Sequence, residues 1–148
     1  MLRKSLNGSR LMLIHSDIDA YLENIIKNNH ITLIHITGDQ YGPDVVSPKK
    51  KVIIMNLNYH TSFSYHFRMA HELAHLLSDA PKVTYNHSQL SRGSAERQAN
   101  LYGIKLLADY YFSEDQSQRA RWDRRFQFIE TFGLGRLTHL VETVLNAT

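Results

Sequence analysis

Residues 67–77 read Phe-Arg-Met-Ala-His-Glu-Leu-Ala-His-Leu-Leu, and this stretch constrains the fold more than any other. Phe67, Met69, Ala70, Leu73, Ala74, Leu76 and Leu77 flank the polar residues at spacings that predict a largely buried helix. On that helix His71 and His75 are one turn apart and project from the same face. The plain alternative is a pair of partly exposed polar residues, and nine histidines in the chain leave room for a chance match. Burying two imidazoles and the Glu72 carboxyl among aliphatics is costly, however, unless a partner satisfies them. A metal ion is such a partner, since two imidazoles so placed can bind one tetrahedral Zn²⁺. Glu72 is rotated beside that position. There it can take a proton from a water polarised by the metal and make a nucleophile for a peptide carbonyl.

A site of this kind needs a third ligand. From Ser94 the sequence SAERQANLYGIKLLADYY predicts a second amphipathic helix. Glu96 shares a face there with Ala99 and Gly103, and Leu107 lies further along. Small residues let two helices approach closely, so Glu96 can reach a metal held by His71 and His75. An ordinary glutamate in the first turn, favoured by the helix dipole, is the competing reading. Asn100, one turn on, can accept the remaining imidazole N–H of a ligand histidine. Rival ligands are Asp79, one further turn beyond His75, and His87, in the loop KVTYNHSQ. A glycine and third histidine of the extended motif are absent, since Ser78 and Pro81 occupy those places. Glu96 is the best choice.

Two blocks together, F-x-M-A-H-E-L-A-H-L-L from Phe67 to Leu77 and E-x-x-A-N-x-Y-x-x-x-L-L from Glu96 to Leu107, resemble the ImmA/IrrE metallopeptidases. The resemblance implies a zincin-like core, with His71, His75 and Glu96 as zinc ligands and Glu72 as catalytic base. Ala74 stands where glycine is common, Gly103 where alanine is usual, and Ala108-Asp109 where Met-Pro often follows. These departures bear on the subfamily and miss the presumed metal site.

With 148 residues and 43% hydrophobic content, the chain can bury a core as one domain, residues 1–148. It has no cysteine and so needs no oxidising compartment, which fits the cytoplasm. No apolar run approaches a membrane span, and the LMLI run near the N-terminus is too short for a secretory signal. Met12 is a candidate start, which makes residues 1–11 a flexible extension. A net charge of +3 is too small to argue for nucleic acid. Arg119, Arg121, Arg124 and Arg125 read as a solvated helix face balanced by Glu114, Asp115 and Asp123.

Breakers and periodicity predict an α+β fold, a small twisted β-sheet packed against several helices. Ser16 can cap a first helix with Ile18, Leu22, Ile25 and Ile26 as its buried stripe. ITLIHI from Ile31 predicts a buried strand, and KVIIMNL from Lys51 a second. Between them GDQYGPDVVSPKKK reads as an exposed, turn-rich loop. The motif helix is expected from about Tyr59 or His60. Trp122, Phe126, Ile129 and Phe132 predict one later helix, which Gly133 and Gly135 end before a terminal helix. The Lys51–Leu57 strand is a candidate edge for an extended substrate, its alternative being an interior strand. Tyr65, Tyr85, His87 and Tyr102 are candidate donors to the oxyanion.

The sequence therefore points to a zinc-dependent endopeptidase, with Mn²⁺ as the alternative metal. By family analogy its substrate is a separate helix-turn-helix repressor of a phage, mobile element or stress regulon. No direct nucleic-acid or membrane partner is expected. Two other readings are a metal-containing binding module without catalysis, of anti-repressor or antitoxin type, and a zincin hydrolase with another protein substrate.

Overall fold

A computed structural model describes residues 17–78, 89–115 and 117–147 of the chain. The expected roles of residues 1–11, Ser16, Asp79, Tyr85 and His87 fall outside those residues. Helix α1 covers residues 17–28 and buries Ile18, Leu22 and Ile26, three residues four apart on one face. Three strands follow: β1 (Thr32–Ile36), β2 (Val45–Ser47) and β3 (Val52–Asn56). Next come α2 (Tyr65–Leu77), α3 (Gln89–Tyr111), α4 (Gln118–Asp123), α5 (Arg125–Phe132), a 3-10 turn (Gly135–Leu137) and α6 (Thr138–Ala147). The architecture is α+β, as the periodicity predicts.

The sheet order is β1-β3-β2, with β1 parallel and β2 antiparallel to β3. This corrects two expectations. The Lys51–Leu57 strand is central rather than an edge, and the edge is β2, a strand inside the segment read as loop. Pro43 and Pro48 bracket Val45–Ser47 and made the whole segment look like turns, although neither lies within the strand. β1 is also less buried than its β-branched residues suggest, with Ile34 41% and Ile36 44% exposed. Leu33, Ile53 and Val46 pair across the strands on the face that meets the helices, where Ile53 and Met55 are fully buried. Ile34, Ile54 and Val45 are aligned on the opposite face.

Helix α2 lies at the centre of the core. It starts at Tyr65, later than expected, because Ser64 caps it: the Ser64 hydroxyl accepts from the Phe67 N–H at 3.1 Å. Phe67, Met69, Ala70, Leu73 and Ala74 are buried, against Ile104 and Leu107 of α3, Phe128 of α5 and Val141 of α6 in one cluster. Helix α3 begins at least five residues earlier than Ser94. Gly93 has no heavy atom within 4 Å of a Cβ position, so it costs α3 only helix propensity. The single helix expected over Trp122–Phe132 is two helices, α4 and α5, divided at Arg124, whose φ/ψ of −102°/11° leaves the helical region. Phe126 therefore points outward, 58% exposed. The arginines of this region are paired: Arg124 with Asp115 at 2.6 Å, Arg125 with Glu142 at 3.1 Å and Arg119 with Asp123 at 3.6 Å.

The end of α5 sets the start of α2. Gly133 closes α5 with φ +66°, and Phe132 C=O accepts from the Ser64 N–H at 3.1 Å. A Cβ at position 133 would lie 2.1 Å from the Ser62 carbonyl oxygen. Both the left-handed backbone and the backbone contact exclude a side chain here. Gly133→Ala should therefore destabilise the protein by at least about 2 kcal/mol in urea unfolding. A loss of a few tenths of a kcal/mol would show that the loop before α2 shifts freely.

Candidate metal centre and cleft

Helix α3 crosses α2 so closely that a Cβ at Gly103 would stand 3.2 Å from the His71 backbone nitrogen. Ala99, on the same α3 stripe, is also buried. The small residues at 99 and 103 thus do what their spacing suggests, and Glu96 is carried to the histidine pair. Glu96 Oε2 lies 3.0 Å from His71 Nε2, and Glu96 Oε1 lies 3.1 Å from His75 Nε2. The two Nε2 atoms are 3.2 Å apart. Among the described residues these three side chains form the group able to hold a metal ion.

The chemistry of this donor set tests whether a metal fits. His71 Nδ1–H donates to Asn100 Oδ1 at 2.8 Å, so a neutral His71 turns the Nε2 lone pair toward Glu96 and His75. Lone pairs facing a carboxylate repel unless a cation stands between them. Burial opposes a proton on His71, but Glu96, Glu72 and Asn100 together outweigh it and raise the His71 pKa above its ordinary value. Hydrogen bonds from His71 and His75 hold the Glu96 carboxyl far below the usual carboxylate range. A divalent metal replaces the proton with more charge. The separations of 3.0–3.2 Å are close to the ~3.3 Å between ligand atoms of a tetrahedral zinc site. The residues fit the ion.

A cleft of about 650 Å³ opens over this cluster. His71, Glu72, His75 and Glu96 line it together with Val45 and Val46 of β2. Tyr59, Arg68 and Asp44 line it too, and none of the three stood out in the sequence. Their one advance signal is the spacing of Arg68, four residues before Glu72 on the same helix face. Tyr65 and Tyr102 are not among the lining residues. The Tyr65 hydroxyl is instead hydrogen-bonded with His35 Nε2 at 2.6 Å, and burial pushes its pKa up to about 12.

Burial also raises the Glu72 carboxyl to about 7, against the opposing pull of His71 and His75. A folded-state pKa above the unfolded one leaves stability intact below about 4.5, and that stability is lost as pH rises through about 7. In chelator-treated protein, the stability advantage of Glu72→Gln over wild type should grow by roughly 2–3 kcal/mol from about pH 4 to about pH 8. A difference that stays flat across that range in urea unfolding would show an ordinary carboxyl at this position.

Residues 10–138 match the family model Peptidase_M78, described as the IrrE N-terminal-like domain. No curated protein and no solved structure matches the chain. Among the described residues no helix is long and apolar enough to cross a membrane. With most of its length matched and a three-residue group able to hold a metal at the cleft, the chain belongs to the IrrE N-terminal-like peptidase family and has a metallopeptidase-type function.

Proposed function

We propose that the protein is a zinc-dependent endopeptidase in which His71, His75 and Glu96 hold the metal and Glu72 is the general base. The convergence of three ligand atoms beside a carboxyl with a pKa near neutrality carries this reading. The metal, when bound, supplies Lewis acidity toward a carbonyl and a water in the cleft. Zn²⁺ is favoured by the two imidazoles and one carboxylate with room for a fourth group, and Mn²⁺ is the alternative.

The remaining steps belong to this chain's own residues. A base with a pKa near the working pH transfers protons in both directions. Glu72 takes a proton from the attacking water and delivers it to the nitrogen of the departing amine. Asn100 holds His71 in the tautomer whose Nε2 faces the metal position. Substrate docks along β2. The Leu57 N–H bonds Ile36 C=O, so by alternation Val52, Ile54 and Asn56 turn their polar backbone groups toward β2. Val45 and Ser47 pair with Ile54 and Val52, which leaves the Val46 N–H and C=O directed outward along the cleft. An extended peptide can add to that edge by main-chain hydrogen bonds.

For the substrate itself, we propose a separate helix-turn-helix repressor of a phage, mobile element or stress regulon. The family resemblance supports this choice, and the edge geometry requires only that a segment of it become extended.

The metal-loaded protein should contain one equivalent of zinc after dialysis, lost or sharply weakened in His75→Ala and Glu96→Ala. Glu72→Gln should retain the metal while cleavage of a repressor encoded beside this gene falls at least ~100-fold. Repression relieved equally well by Glu72→Gln would replace the enzyme with a binding module that acts by contact. Cleavage of unrelated proteins but not of the repressor would leave a zincin hydrolase of another specificity.

A further inference from the structure

The antiparallel ladder between β2 and β3 stops one rung early at the cleft. Extending the register from Val45↔Ile54 sets position 43 opposite Asn56, whose backbone groups face β2. Position 43 is proline, which has no N–H to donate. Side chains fill the missing rung. Asp44 Oδ1 accepts from the Asn56 N–H at 2.9 Å, and Arg68 Nη2 donates to the Asn56 C=O at 2.8 Å. The Arg68 guanidinium then closes on Asp44, with Nε to Oδ2 at 2.7 Å and Nη2 to Oδ1 at 2.8 Å.

This rung joins three elements. Asp44 enters β2, Asn56 ends β3, and Arg68 stands one turn before Glu72 on α2. The Asp44 carboxylate is 4% exposed, so the pair is screened from solvent and held by its fork geometry. The Asn56 side chain clamps the loop leading into β2. Its Oδ1 accepts from Gly38 N–H at 2.8 Å, and its Nδ2 donates to the carbonyls of Asp39 at 2.8 Å and Gly42 at 2.7 Å.

We propose that Arg68 and Asp44 are positioning residues for a peptide substrate: their ion pair locks the outward edge of β2 at a set distance from His71 and Glu72. A peptide bonded to that edge then meets the metal position with its scissile carbonyl in register. This inference rests on the reading of β2 as the docking edge. It assigns the register of docking to a side-chain pair, where a strand edge usually sets it by its own backbone.

Two hydroxamates on the zinc-loaded full chain separate the contributions. Acetohydroxamate can contact only the metal, whereas an acetylated Ala-Leu-Ala hydroxamate also offers main-chain groups to β2. In the wild type the peptidyl compound should bind at least about tenfold tighter. Arg68→Ala should shrink that ratio by about tenfold, with acetohydroxamate and zinc affinities unchanged. Arg68→Lys, which keeps the charge without the fork, should shrink it severalfold and guards against misfolding of the alanine variant. In metal-free protein the Asn56 and Val45 amides should exchange faster in both variants. A ratio unchanged in Arg68→Lys and Arg68→Ala would overturn the proposal, as would an equal loss of both hydroxamates and zinc. Equal binding of both compounds by the zinc-loaded wild type would overturn the docking edge itself, and the positioning role with it.

Discussion

Everything at the candidate centre depends on the contact between two helix backbones. Gly103 and Ala99 allow α3 to lie against α2 at Ala70 and His71, and the approach is close enough that even a methyl group at 103 would press on the His71 backbone. That proximity carries Glu96 and Asn100 to opposite nitrogens of the same imidazole. A helix packed one side chain further away would leave a histidine pair with no third donor and no fixed tautomer. Alanine at 103 brings opposed effects, about 1 kcal/mol of helix propensity against the crowded contact.

Electrostatics turns that packing into a site. Glu72 and Glu96 flank the same histidines yet ionise very differently. Glu96 receives hydrogen bonds from both rings and stays charged, while Glu72 is penalised by burial and titrates near neutrality. One carboxylate is suited to hold a cation and the other to exchange a proton. A second polar arrangement lines the same cleft, in which Asp44 accepts from the Asn56 N–H and Arg68 donates to the Asn56 C=O, to which Pro43 has no N–H to offer. A buried pair of this kind contributes little to stability against an apolar alternative, and its clearer effect is on geometry.

Much of the candidate site was legible in the sequence because it depends on short-range periodicity. The pair His71 and His75, the adjacent Glu72, and the stripe of Glu96, Ala99 and Gly103 all follow from residues three or four apart on a helix. The edge of the cleft was not legible. Val45–Ser47 is too short to show alternation, and its flanking prolines resemble turn signals. The break at Arg124 was equally hidden, since the apolar spacing from Trp122 to Phe132 runs through it.

Local pattern thus determined the α+β class, the buried motif helix and the chemical character of its polar residues, because helix periodicity and the cost of burying polar groups act within a few residues. Only the tertiary structure decided that β3 is central and β2 the edge, that Arg68 is tied to Asp44 and Asn56, and that Tyr65 bonds His35 instead of facing the cleft. Strand order and side-chain partners join residues tens of positions apart. They are chosen by which buried backbone groups remain to be satisfied once the helices have packed, and no local spacing encodes that choice.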